Sequence, residues 1–293
     1  QKNEVTEKQE STTITSINSD YEQYIATHSG GVTTESVKVD INSKLESNSP
    51  ISFDIEVPQT GLYSIGLNYR ALDSKNENLN FGLMVDGEYP YKAAQDFEIP
   101  RLWCDAGETR VDGLGNEFAA EQGIYEGYYY NEVIDNSLTS GYTYKLYMTE
   151  GTHNITLAEP KSAFEIAYFA LAATKEIDSY IAPKDESQYY DGEPIIIEGE
   201  DATIKSGYFL VSKSDPSTSV ITPYDPTKNL VNYIGGGNWS GIGDTIVWKT
   251  PEVKAGYYQI DFSFNQSTVI GGITYRDLKI DGVSPYAEAQ KIS

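Results

Sequence analysis

Two stretches of this chain carry side chains that could do chemistry on a ligand. The first, LVNYIGGGNWSG (Leu230–Gly241), places Asn238 and Trp239 behind three glycines, Gly235, Gly236 and Gly237, with Asn232 and Tyr233 just ahead of them. A glycine run lets the backbone bend and expose a ring, an indole offers a flat apolar face, and Asn238 supplies both a donor and an acceptor. Such a pairing suits a sugar, whose ring has a flat C–H face bordered by hydroxyls. The competing expectation for Trp239 is a core plug, because Trp rings are largely buried.

The second stretch, RLWCDAGETRVDGLGNEFAAEQGIYEGYYYNE (101–132), combines Trp103 and the run Tyr128, Tyr129, Tyr130 with Asp105, Glu108, Asp112, Glu117 and Glu121. A glycosidase needs only a correctly separated carboxylate pair. Carboxylates this dense are more often solvated loop charge, so an aromatic binding surface built on Trp103, Tyr128 and Tyr129 is the favoured reading. The alternative for these rings is to cover an interface between domains.

Composition narrows the classes. The 44 acidic against 21 basic residues give a net charge of -23 over 293 residues, which argues against nucleic acid or anionic membrane, since phosphate binding needs clustered Lys and Arg. Most of the acidity reads as solvated surface, although carboxylates also suit calcium, a hard cation. Cys104 has no second cysteine to pair with, and with His28 and His153 it makes no zinc set. It reads as a small hydrophobe, with spatial proximity to His153 left open. No run of about 18 apolar residues occurs, so no helical membrane span is expected. Residues 1–20 are polar and read as a disordered tether, such as one left after removal of a signal or lipid-anchor segment, or as a trimmed terminus.

The elements that must position these side chains read as strands. SVKVDI, ISFDIEV, GLYSIGLNYRAL, FGLMVDG, YKLYMT, HNITLA and FEIAYFALAA alternate or run apolar between Gly, Pro, Asn and Asp. No segment shows a capped helical period, and YKAAQDFEI offers at most one helical turn. A repeat organises the strands: VDGEYPYKAAQ (Val85–Gln95) returns as IDGVSPYAEAQ (Ile280–Gln290), 195 positions on. The same offset carries Gly61, Tyr63, Ile65 and Leu67 onto Gly256, Tyr258, Ile260 and Phe262. Alternate apolar residues put one strand face into a core, and the Asp-Gly pairs read as tight turns with positive φ. A looser match sets EQYIA (Glu22–Ala26) beside DSYIA (Asp178–Ala182) as the entry to each unit.

The expected organisation is a first module at 21–175, a linker at 176–190 and a second module at 191–293. The unrepeated loops 96–131 and 208–241 are the places for function. After Gln290 the second unit has few residues left, so it reads as incomplete, its missing strands supplied by a longer parent chain or from elsewhere.

The order IIIEGE, then NYIGGGNW, then AGYYQIDF, then KIDG resembles the carbohydrate-binding modules of families 6 and 35. That resemblance implies an all-β fold of tandem β-sandwich, jelly-roll, galactose-binding-like domains. It also implies non-catalytic binding of a carbohydrate outside the cell, and the polar N-terminal stretch adds a secreted protein or lipoprotein; the alternatives are a glycoside hydrolase fragment using the loop carboxylates and a cell-surface adhesin or scaffold module that binds protein. In those families the Glu-x-Glu pair commonly holds a structural calcium, which makes Glu198 and Glu200 the implied ligands, on one face of a strand. Trp248 aligns with Phe53, and both are expected to point inward. The doubled arrangement with DGLGNE also resembles regions beside solute-binding and glycan-degrading proteins of Gram-positive bacteria.

Overall fold

A computed structural model describes residues 19–28, 35–135, 143–174, 176–266 and 272–293. The fold is all-β: antiparallel sheets, none closed into a barrel, and among the described residues one α-helix, α1 (Ser19–Thr27). In chain order the strands are β1 (Val37–Leu45), β2 (Ile51–Val57), β3 (Gly61–Ala71), β4 (Leu79–Val85), β5 (Phe97–Ile99), β6 (Trp103–Asp105), β7 (Arg110–Val111), β8 (Glu117–Phe118) and β9 (Gln122–Ile124). There follow β10 (Tyr129–Glu132), β11 (Lys145–Met148), β12 (Gly151–Ala158), β13 (Phe164–Ala173), β14 (Ile204–Lys205), β15 (Ser212–Ser214), β16 (Val231–Ile234) and β17 (Ile246–Val247).

Strands β1 to β5 and β10 to β13 build a sandwich from two sheets. One runs β1-β13-β3-β10, with β11 also on β3; the other runs β2-β12-β4-β5. Alternation explains the layering: Tyr63, Ile65, Leu67 and Tyr69 of β3 and Phe164, Ile166, Phe169 and Leu171 of β13 are fully buried, and meet Ile55, Phe81, Leu83, Ile155 and Leu157 of the facing sheet. Two bulges break the register of the first sheet, between Asp40 and Ser43 of β1 and between Ile166 and Tyr168 of β13.

Between β5 and β10 the insertion leaves the sandwich. Its β6 pairs with β9 on one edge and β14 on the other, and β14 pairs with β17, so one small sheet joins the insertion to the second region. A buried Lys205 ammonium meets Asp105 across that sheet. The second region has its own small core of Ala202, Leu210 and Ile246, with Ile234, Trp239 and Trp248 packed against it. Trp248 thus faces a core, its indole N–H donating to Gly199 O at 2.9 Å, and Phe53 likewise packs on the sandwich core, 5.4 Å from Phe169.

The repeated phrase folds alike in both copies. Asp86 and Gly87 have φ of 52° and 86°, and Asp281 and Gly282 have 51° and 83°. Such a pair of positive angles is the mirror-image tight turn that Asp-Gly favours. Val85 and Glu88 bridge, as do Ile280 and Val283. Tyr91 (φ -160°, ψ 167°) and Tyr286 (φ -159°, ψ 165°) each precede a 3-10 turn, Lys92–Gln95 and Ala287–Lys291, that buries one alanine, Ala94 or Ala289. The entry segments dock on it similarly: Tyr24 lies 5.0 Å from Tyr91, and Tyr180 lies 5.2 Å from Tyr286.

Elsewhere the expectation and the structure part. The polar stretch assigned to a tether ends inside α1, whose Tyr21 and Tyr24, three residues apart, press on Tyr91; residues 1–18 lie outside the described residues. IIIEGE forms no strand: Ile195, Ile196 and Ile197 are 39%, 76% and 39% exposed and a turn follows at 199–200. Glu198 and Glu200 therefore do not share a strand face. Residues 258–266 form no ladder either. A strand exists only where neighbours accept its backbone hydrogen bonds, and among the described residues neither segment has them.

Candidate functional site

The glycine-rich turn keeps Trp239 inward. Gly235 and Gly236 hold φ of 87° and 65°, and a Cβ on Gly235 would sit 3.1 Å from the Trp239 Cβ. The half-buried indole packs on the small core 6.4 Å from Trp248, donates from Nε1 to Asp244 O at 3.2 Å, and is capped by the Arg276 guanidinium 4.4 Å from the ring. Asn232 is buried with its amide fully engaged, accepting from Asp215 N and donating to Asp215 O and Pro223 O. Asn238 is exposed and donates to Phe209 O at 3.1 Å, and Tyr233 is half-buried on β16. This segment is built as a packed corner rather than an open platform.

Trp103 is likewise corrected: expected as a sugar platform, it is 4% exposed on β6, its ring 5.8 Å from Tyr208 of the second region. The loop carboxylates largely hold the loop. Asp112 accepts from the N–H groups of Leu114 and Asn116, Glu117 accepts from Val231 N at 2.9 Å, and Asp105 accepts from Gln122 at 2.7 Å as well as from Lys205. Cys104 is a half-buried free thiol that burial pushes up, and His153 holds Asp86 at 2.7 Å. Between the insertion and the second region lies an open cavity of about 380 Å³ with Asp105, Glu108, Glu200 and Asp201 on its wall. Burial raises the Glu200 carboxyl, with the charges of Glu198, Asp201 and Glu117 adding to it, and its Oε2 is buried without a partner. Calcium takes roughly six to eight oxygen ligands. Among the described residues no three His, Cys, Asp or Glu side chains converge as a metal site.

A different surface brings aromatic rings and polar groups together: the outer face of the β1-β13-β3-β10 sheet. Tyr130 of β10 and Tyr168 of β13 both stand opposite Asn68 of β3, and their rings stack at 6.0 Å and 20°. Tyr130 lies over Gly66, where a Cβ would come within 2.1 Å of its hydroxyl, so only glycine lets the ring lie there. Lys38 Nζ sits 4.1 Å from the centre of the Tyr168 ring. Beside them Tyr128, 42% exposed, packs 5.0 Å from Arg70 and donates its hydroxyl to Glu165 Oε2 at 2.9 Å. Arg70 Nε donates to the same oxygen at 2.6 Å. A recess of about 180 Å³ is walled by Asn42, Ser43, Lys44, Tyr128 and Glu165. That is smaller than the ~300–1,000 Å³ of an enclosed ligand pocket and fits a shallow platform.

The electrostatics follow from these contacts. The Arg70 hydrogen bond, with that of Tyr128, holds the Glu165 carboxyl below the usual carboxylate range, so it stays an anionic acceptor. Burial pushes the Tyr130 phenol up, with Glu132 and Tyr168 adding to it, so the ring remains neutral. Asn68 Oδ1, on the strand between the two tyrosines, is buried with no partner. Farther along, burial raises the Glu132 carboxyl, with the charge of Lys279 opposing that rise and the charge of Asp277 adding to it.

Sequence reasoning named Tyr128 and Tyr129 but passed over Tyr168, Arg70 and Glu165. Tyr129 is half-buried opposite Tyr69. In FEIAYFALAA strict alternation from the buried Phe164 puts Tyr168 inward and Phe169 outward. The bulge after Ile166 reverses the phase, burying Phe169 fully and turning Tyr168 out. The other bulge displaces Asn42 to φ 46° at the rim of the recess. The readable signal was the outward Glu165 opposite Arg70, a cross-strand pair of opposite charge.

No family model and no curated protein matches the chain. Among solved structures, a ruminal GH26 endo-β-1,4-mannanase aligns at 14% identity over 48% of this chain and 22% of its own, with a TM-score of 0.25. The catalytic domain of a GH87 α-1,3-glucanase in complex with nigerose aligns at 12% identity over 54% of this chain and 30% of its own, also at 0.25. The chain spans less than a third of either enzyme, and a likeness at that score decides nothing about its activity.

Proposed function

We propose that this chain binds carbohydrate without transforming it, on the outer face of the five-stranded sheet. The observation that carries the reading is the grouping of Tyr128, Tyr130 and Tyr168 with the Arg70–Glu165 pair on one solvent-facing surface. Rings supply flat apolar area for the C–H face of a sugar. Glu165 retains acceptor capacity beyond its two donors, and Arg70 retains N–H groups beyond Nε, so hydroxyls find fixed partners at the edge. The sheet and its bulges set these groups before ligand arrives, which limits the ordering entropy of binding. The family 6 and 35 resemblance, an extracellular or cell-surface location and a place in a larger glycan-capture or sugar-uptake protein belong to the same proposal. So does a tandem organisation, supported by the matching turns at Asp86 and Asp281.

A glycan array on the full chain, repeated with Tyr168→Ala and Tyr128→Ala, tests the reading. Retention of a glycan by the wild type and its loss in both variants, with folding unchanged by circular dichroism, supports it; no retained glycan sinks it. A second reading, glycoside hydrolysis, leans on the carboxylates around the 380 Å³ cavity. It calls for turnover of a chromogenic glycoside that disappears in Glu200→Gln.

A further inference from the structure

We propose that residues 256–264 are a strand acceptor, which takes up an antiparallel β-strand of alternating apolar residues as β3 takes up β13. The offset of 195 places Ile260, Phe262 and Phe264 where β3 has Ile65, Leu67 and Tyr69. The three β3 residues are fully buried, and they stand opposite Leu171, Phe169 and Ile166 of β13. Their counterparts are 47%, 54% and 74% exposed. Three large apolar side chains at every second position, facing water, carry the pattern of a strand's core face without a partner or a cover.

A single parallel bridge, between Tyr189 and Tyr257, stands at the start of the segment. Tyr257 N donates to Gln188 O at 3.0 Å, Tyr190 N donates to Tyr257 O at 2.8 Å, and the rings of Tyr190 and Tyr258 stack at 4.7 Å. It stops there: from Tyr258 to Gln266 the described backbone has no strand partner. The repeat specifies the chemistry of the occupant. It is an extended segment patterned like β13, with apolar residues opposite 260, 262 and 264, binding by strand addition. The chain's net charge of -23 favours a neutral or basic strand and opposes pairing with a second copy of this chain.

The test uses the full chain and a synthetic peptide of residues 163–174 with two lysines at each end. A scrambled peptide with the same tails is the control. The expected result is binding about tenfold or more tighter than the control, with amides 258–264 exchanging about tenfold slower in hydrogen exchange, and loss of both in Phe262→Asp. The proposal is overturned if the scrambled peptide binds equally, if Phe262→Asp binds unchanged, or if these amides are already protected in the free chain. Sedimentation then tells whether a second copy provides that protection.

Discussion

Gly61–Ala71 and residues 256–266 share a pattern of apolar positions, and each leads to the same turn, yet one is a central strand and the other pairs only at Tyr257. The turns match within a few degrees because an Asp-Gly pair settles its own backbone angles from local sterics. The strands differ because an extended segment is stabilised by cross-strand partners, which are remote in sequence. In this molecule the short-range part of the repeat is autonomous and the long-range part is conditional.

The sharpest way to break the comparison is a matched pair of core truncations. Leu67→Ala should destabilise by about 2–5 kcal/mol, as expected for emptying a closed core, whereas Phe262→Ala at the equivalent position should stay within about 0.5 kcal/mol. Urea unfolding of both variants measures this, and equal effects would mean that 256–266 is packed in solution.

Next in size, Asp105→Asn strips the buried Lys205 ammonium of its carboxylate. A loss of about 2 kcal/mol is expected, less than for a fully buried pair because Asp105 keeps some solvent contact. Hydrogen exchange should place that loss in β6, β14 and β17 and leave β3 and β13 unchanged.

Ligand binding contrasts the regions again. Tyr168→Ala should weaken glycan affinity about tenfold, roughly 1.4 kcal/mol, while Trp239→Ala should change it less than about twofold and act on stability instead. Titration calorimetry separates the two. The reverse ranking would move the site to the second region.

The smallest effect concerns pH. Burial opposes a charged His153, but the Asp86 carboxylate and the Thr149 carbonyl outweigh it and raise the imidazole, while the His153 hydrogen bond lowers Asp86. A raised histidine contributes stability that is complete below its unfolded value near 6.5 and is lost as pH rises through the folded one. A lowered Asp86 contributes in the opposite sense, losing its share only as pH falls through its folded value in the acid range. Stability should therefore drop by about 0.5 kcal/mol between about pH 6 and 8, and His153→Gln should abolish that drop in thermal melts. Asp281 has the same turn without a histidine among its contacts, so its copy supplies the internal control.

Much of the fold was legible in the residues. The alternation in GLYSIGLNY and the Asp-Gly turns located the strands and hairpins of the sandwich, and KAAQ made its single turn. Helix α1 was not legible, because nine residues with two inward tyrosines carry too short a period. IIIEGE failed as a strand because propensity cannot supply a neighbour. The candidate site was half legible: Tyr128 stood in a visible aromatic run, but Tyr168 was hidden by a one-residue bulge that inverts the face of everything after it. Trp103 and Trp239 were read as open because glycine, polar and aromatic residues together signal a loop, and a loop's outward face is chosen by what packs on it.

The sequence by itself determined the all-β class, the turn geometry of the repeated phrase and the apolar face of the strands that run without a bulge. Those depend on φ preferences and on a period of two, properties of a residue and its immediate neighbours. Only the tertiary structure decided which strands found partners, which aromatic rings faced water, and that the insertion after β5 would join the second region through Lys205 and Asp105. Burial and pairing are properties of distant segments brought together, and a linear pattern offers several such arrangements among which packing selects.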